Sequence, residues 1–246
     1  MGPAPSVPRA RRAAVATVLA LVMTGVLALV MTGCSAQVID RAALVNDLAS
    51  RLDHASQLTY TADYQLRGGR SATIAQAQRP FRAAYSYPGG KVVITPDGTT
   101  DCRTEAGTLT CTLRRPPSPG SALTLGLLTA LDGAGNQGAD RSGIVPPALV
   151  VGLLTAAALD SNAVISQHDT TIAGEHATCV DVSGVDNAPA SAFTACITAG
   201  GILGSFQGVV DGVEVEISMT GLRDTVAENA FDPPAGAKIV DQRAGG

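Results

Sequence analysis

Gly212-Val-Glu-Val-Glu-Ile-Ser-Met-Thr-Gly-Leu222 is the stretch from which the fold is read. Val213, Val215, Ile217 and Met219 point one way, and Glu214, Glu216, Ser218 and Thr220 the other. That two-residue period describes a strand with one dry and one wet face. Such strands belong to antiparallel sheets, and the dry face needs a cover.

Working outward, the same period recurs. Leu58–Leu66, Ser71–Gln78, Phe81–Tyr87 and Lys91–Thr95 alternate between turn signals at Gly68-Gly69, Pro88-Gly89-Gly90 and Pro96-Asp97-Gly98. Asp101-Cys-Arg-Thr-Glu-Ala-Gly-Thr-Leu-Thr-Cys-Thr-Leu113 follows as a hairpin. A two-residue turn at Ala106-Gly107 sets Cys102 opposite Cys111 at a non-hydrogen-bonded position, where Cα atoms lie about 4.5 Å apart and a disulfide can close. After Arg115-Pro-Pro-Ser-Pro-Gly120 the pattern changes. Ser121–Leu131 and Pro146–Leu159 read as helices that are apolar nearly all round. Strands resume at 163–172, 176–182 and 193–199. Before the first strand, Gln37–Ala55 reads as an amphipathic helix, with Val38, Ala42, Val45, Leu48 and Leu52 at three- and four-residue steps. The fold expected is α+β: an antiparallel half-open β-barrel or curved sheet covered by apolar helices.

The N-terminal segment reads as an address. Arg9, Arg11 and Arg12 precede an uncharged apolar run over 13–30, which stops at Met31-Thr32-Gly33-Cys34. A basic region, an apolar region and small residues before a cut describe a secretory signal. The final four residues resemble a bacterial lipobox, whose cysteine is diacylated before cleavage. A plain transmembrane anchor is the alternative, but its stop would carry basic residues where this run has Thr-Gly-Cys. We therefore expect residues 1–33 to be a lipoprotein signal peptide and 34–246 a single extracytoplasmic domain. Acyl chains on Cys34 would anchor it to the cell membrane.

Cys102, Cys111, Cys179 and Cys196 remain, an even count that suits an exported chain with two disulfides. Cys179 and Cys196 flank the turn-rich Gly184–Ser191 between two strand-like runs, so they are expected to pair as Cys102 and Cys111 do. A metal site is the competing reading, yet there is no CxxC, and His176 three residues before Cys179 is weak ligand spacing. No metal or cofactor is expected.

Charge narrows the function classes. The chain carries 17 basic and 21 acidic residues; without the three leader arginines the balance is 14 against 21, or −7. No basic footprint is left to neutralise a phosphate backbone, so nucleic acid is excluded as a partner. No GxSxG, HExxH, P-loop or GxGxxG occurs, the acids are scattered, and His54, His168 and His176 sit where solvent or a helix terminus accounts for them. We expect no enzyme.

This plan is similar to the LolA-like lipoprotein carriers, in particular actinobacterial envelope lipoproteins of the LprG/LppX type. The segment Phe231-Asp-Pro-Pro-Ala-Gly-Ala-Lys-Ile-Val240 resembles their F-x-x-P-x-G-A closing motif. The resemblance implies a half-barrel around helices, with a hydrophobic cavity for acyl chains of a lipid or lipid-linked glycan. Here the candidate lining is Leu127, Leu128 and Leu131 of the first apolar helix, Val150, Val151 and Leu154 of the second, and Val213, Val215, Ile217 and Met219 of the quoted strand. The other reading is a filled core, in a non-catalytic lipoprotein that regulates or scaffolds a membrane complex. A cavity of several hundred Å³ between sheet and helices favours the first, and a close-packed interior the second.

Overall fold

The computed structural model of the chain describes residues 2, 33–116 and 143–243. The chain divides into two compact units, Met1–Ala43 and Leu44–Gly246. Helix α1 (Gly33–His54) begins in the first, with Cys34 in its opening turn, and ends in the second. Among the described residues, no helix is long and apolar enough to cross a membrane. The second unit carries the sheet.

Strands β1 (Tyr60–Leu66), β2 (Arg70–Ala77), β3 (Arg82–Tyr87), β4 (Gly90–Thr95), β5 (Gly98–Glu105) and β6 (Thr108–Arg114) form one antiparallel meander. After helix α2 (Pro147–Leu159), strands β7 (Val164–Ile172), β8 (Glu175–Ser183), β9 (Ala192–Thr198), β10 (Leu203–Val210) and β11 (Val213–Arg223) form a second. β1 pairs antiparallel with β11 and joins the two, and β12 (Lys238–Asp241) adds parallel to β6. The result is one twelve-stranded sheet in the order β12-β6-β5-β4-β3-β2-β1-β11-β10-β9-β8-β7.

This corrects the expected α+β half-open barrel under a helical cover. Among the described residues the sheet is open and not closed, and strand dominates over one long helix and one short one. Two strands escaped the sequence reading. β10 is Leu203-Gly-Ser-Phe-Gln-Gly-Val-Val210, whose glycines suggest turns but permit close packing instead. A Cβ on Gly208 would come within 2.9 Å of the Cβ of Phe193 on the neighbouring strand. β12 is only four residues long. The expected helix Ser121–Leu131 lies outside the described residues.

The inner face of the sheet holds the main core. Tyr60, Ala62, Tyr64 and Leu66 of β1 pack there with Val215, Ile217 and Met219 of β11 and Phe193, Ala195 and Ile197 of β9. Val45, Leu48, Ala49 and Leu52 of α1 supply one cover, at the spacing of a helix face, and Val150, Leu153, Leu154 and Ala157 of α2 another. Pro147 occupies the first turn of α2, where its missing N–H costs nothing. The quoted strand therefore buries the face its alternation marked, and Glu214 on the opposite face pairs with Arg67.

Candidate functional site

The two disulfides form as the turn counts require. Ala106 and Gly107 take positive φ in the β5–β6 turn, Cys102 faces Cys111, and their Cα atoms are 3.9 Å apart. Cys179 of β8 faces Cys196 of β9 at the same separation. His168 of β7 lies opposite Cys179, and its ring nitrogen and the two sulfurs fall within 4.8 Å of one another. Among the described residues this is the one His/Cys/acid group close enough to hold a metal. Both sulfurs are already bonded to each other, which leaves the imidazole as the one available ligand. His168 Nδ1 lies 3.2 Å from Asp181, whose other oxygen accepts from the Thr194 hydroxyl at 2.8 Å.

The proposed lipid-lining residues separate. Val150, Leu154, Val215, Ile217 and Met219 are buried within the core, and Val213 packs partly against it. Val151 borders a cavity between α1, α2 and β1–β4, shared with Leu52, Tyr60, Phe81, Ala83 and Tyr85. That cavity measures 60 Å³. Leu127, Leu128 and Leu131 lie outside the described residues. One wall of the cavity is polar: the buried Gln76 amide donates to the Ala55 carbonyl at 2.8 Å and to the Leu58 carbonyl at 2.9 Å, tying the end of α1 to β2. Burial holds the hydroxyls of Tyr60, Tyr64 and Tyr85 far above the usual tyrosine pKa. Tyr64 donates to the Leu203 carbonyl at 2.8 Å. These rings are neutral structural posts.

A second concavity lies on the outer face. From the end of β11, residues 224–237 cross back over β1–β4 to deliver β12 to the far edge. Phe231 of this strap rests on Ala75, Ala77, Ala84 and Val93, with the Arg82 guanidinium carbon 4.4 Å from its ring centre. Beside the strap runs a groove of 510 Å³. Its floor is Ala75 and Ala84, the strap supplies Val226, Ala227 and Ala230, and Thr61, Thr73, Ser86 and Thr225 bring hydroxyls. Lys91 and Arg223 stand at its ends. Lys91 Nζ donates to the Asp232 carbonyl oxygen at 2.7 Å; burial lowers its pKa, and the Asp232 carboxylate pulls it up. Arg223 Nη1 donates to Asp63 Oδ2 at 2.6 Å, and the Thr73 hydroxyl to Oδ1 at 3.0 Å. Those bonds, Arg223 first, outweigh the opposing effect of burial and depress the Asp63 pKa.

No motif announced this groove. Its residues come from five strands and the strap, and only register unites them: Thr61 with Ala75, Ala75 with Ala84, Thr73 with Ser86, Ser86 with Lys91.

No protein-family model and no curated protein sequence matches the chain. Among solved structures it is similar to MucB, at 14% identity and a TM-score of 0.48 over 80% of this chain and 66% of that one. It is also similar to MucB in the MucA/MucB complex of Pseudomonas aeruginosa, at 15% identity and TM-score 0.46, over 80% of this chain and 63% of that one. An uncharacterized conserved protein from Thermus thermophilus matches at 11% identity and TM-score 0.42, over 80% and 98%. The chain thus spans just under two thirds of the MucB chains it matches. At these scores the likeness carries no functional argument.

Proposed function

We propose that this is a non-catalytic interaction lipoprotein, anchored through Cys34 on the extracytoplasmic face of the cell membrane, which docks a protein partner of a membrane complex. One observation carries the reading. Among the described residues, the cavity between α1, α2 and β1–β4 measures 60 Å³, room for about two water molecules and far short of the several hundred Å³ that an acyl chain requires. Of the seven described residues nominated to line a lipid cavity, five are buried in the core and Val151 and Val213 pack partly against it. Binding energy for a partner is then available from the surface rather than from the interior.

The test has two arms in the native host. Wild-type protein extracted with its anchor is analysed for non-covalently held lipid, and the same protein is crosslinked in intact cells. The expected result is a specific protein adduct and no stoichiometric free lipid. Lipid at one equivalent per chain, with no adduct, would overturn the reading. Cys34→Ala is expected to release the protein from the membrane fraction or leave it unprocessed; retention of a processed, labelled-palmitate product would refute the anchor.

A further inference from the structure

The outer-face groove is a formed concavity in the size range of ligand sites, and the core does not use it. Its chemistry selects its occupant. Among the described residues its lining holds two cations and no carboxylate, although the chain as a whole is acidic. Neither Asp63 nor Asp232 lines the groove: both Asp63 oxygens are engaged by Arg223 and Thr73, and Asp232 acts on Lys91 through its backbone carbonyl and, electrostatically, its carboxylate. An ammonium has three N–H groups and a guanidinium five, so both retain donors for a ligand. The alanine floor lets a backbone approach closely; the Ser86 and Thr225 hydroxyls can donate to peptide C=O groups, and those of Thr61 and Thr73, which already donate to the Thr225 carbonyl and to Asp63, can accept from peptide N–H groups. A wall of Ala, Val and hydroxyls offers an acyl chain little, and no aromatic ring lines the groove to stack a base.

We propose that this groove seats an extended acidic segment of the protein partner, with carboxylates at Lys91 and Arg223. The proposal rests on the interaction reading above and names its surface. Lys91 and Arg223 sit on strands four pairings apart, a span of about 19 Å, which roughly six extended residues cover.

The experiment uses the full chain, purified by its own anchor in non-ionic detergent. The probes are a fluorescein-labelled hexapeptide of alternating Glu and Ala and its Gln/Ala counterpart, read by anisotropy. The Glu peptide is expected to bind about tenfold more tightly than the Gln peptide, the scale of a charged hydrogen bond. Lys91→Gln keeps an amide donor for the Asp232 carbonyl but removes the charge, and should erase most of that preference. Ser86→Phe fills the groove at a half-buried position and should abolish binding of both peptides. Equal binding of the two peptides, or unchanged binding by Lys91→Gln with its thermal midpoint intact, overturns the proposal. So does Lys91-dependent binding to phosphatidylglycerol vesicles without peptide binding, which would make the site a lipid-headgroup surface. If the cellular adduct persists in both variants, the groove proposal falls while the interaction reading stands. If wild-type protein yields lipid and no adduct, the reading itself falls.

Discussion

Gln76 is a polar side chain set into an apolar interior, and its two amide bonds explain its presence. They bond the carbonyls of Ala55 and Leu58 just past the end of α1, beside the Leu58 N–H that the Ala55 carbonyl also accepts and the Gln78 amide that the Leu58 carbonyl also accepts. Gln76→Leu keeps the volume and removes two hydrogen bonds while each carbonyl keeps its other donor, so it should lower stability by about 1–3 kcal/mol, read as a shift of the urea midpoint at unchanged slope. Asp63 gives a pH-dependent counterpart. Its folded pKa lies below the ordinary aspartate value of 3.8, with the Arg223 bond the leading cause. A depressed carboxylate contributes stability above its unfolded pKa and loses it as pH falls through the folded value. Asp63→Asn should therefore lower the thermal midpoint at pH 7, and the gap to wild type should close once the pH drops below the depressed value. An unchanging gap would refute the assignment. At this scale legibility in the sequence was uneven. The cysteine pairs could be counted from their turns, since pairing in a hairpin is local. Lys91, Ser86 and Thr73 could not be grouped, because their adjacency exists only across strand register.

Helix α2 shows why apolar composition alone misleads about what a helix faces. Val150, Leu153, Leu154 and Ala157 form a single buried stripe. Gly152 and Thr155 are exposed and Ala156 and Ala158 half-buried, so much of its second side is small residues. Leu159, at its end, is 83% exposed. A helix that reads as apolar nearly all round thus needs no second apolar partner once size is considered as well as polarity. Leu154 is fully buried, so Leu154→Trp should overpack the core and cost about 1–3 kcal/mol. A lipid cavity would absorb the same ring with little loss, and a denaturation curve close to wild type would count against the filled core. The strands with clean alternation were readable: β11 has one wet and one dry face, and β1 alternates in sequence even though Thr61 on its outer side is buried beneath the strap. β10 was hidden because Gly204 and Gly208 serve close packing against Ile172 and Phe193, a demand that leaves no mark in the local pattern.

At the scale of the molecule, each meander follows from short turns between neighbouring strands, and such topology is legible. The junction of β1 with β11 and the parallel addition of β12 join segments more than a hundred residues apart, and nothing local encodes them. That is why the reading reached ten of the twelve strands and the wrong closure. The strap is what this topology makes accountable. It starts at the sheet centre, lays Phe231 on an alanine-rich floor, receives Lys91 at the Asp232 carbonyl, and ends in β12. There it covers an edge that would otherwise present unpaired backbone groups, the arrangement that recruits strands from other chains. A chain ending at Asp224 keeps every strand from β1 to β11 and the whole inner core. It should therefore fold, with a lower thermal midpoint, while baring Ala75, Ala84, Val93 and the outer edge of β6. The expected signature is native far-ultraviolet circular dichroism together with concentration-dependent self-association in sedimentation velocity, absent from the full chain. A truncated chain that stays monomeric with an unchanged midpoint would show that the strap neither holds the sheet nor guards its edge.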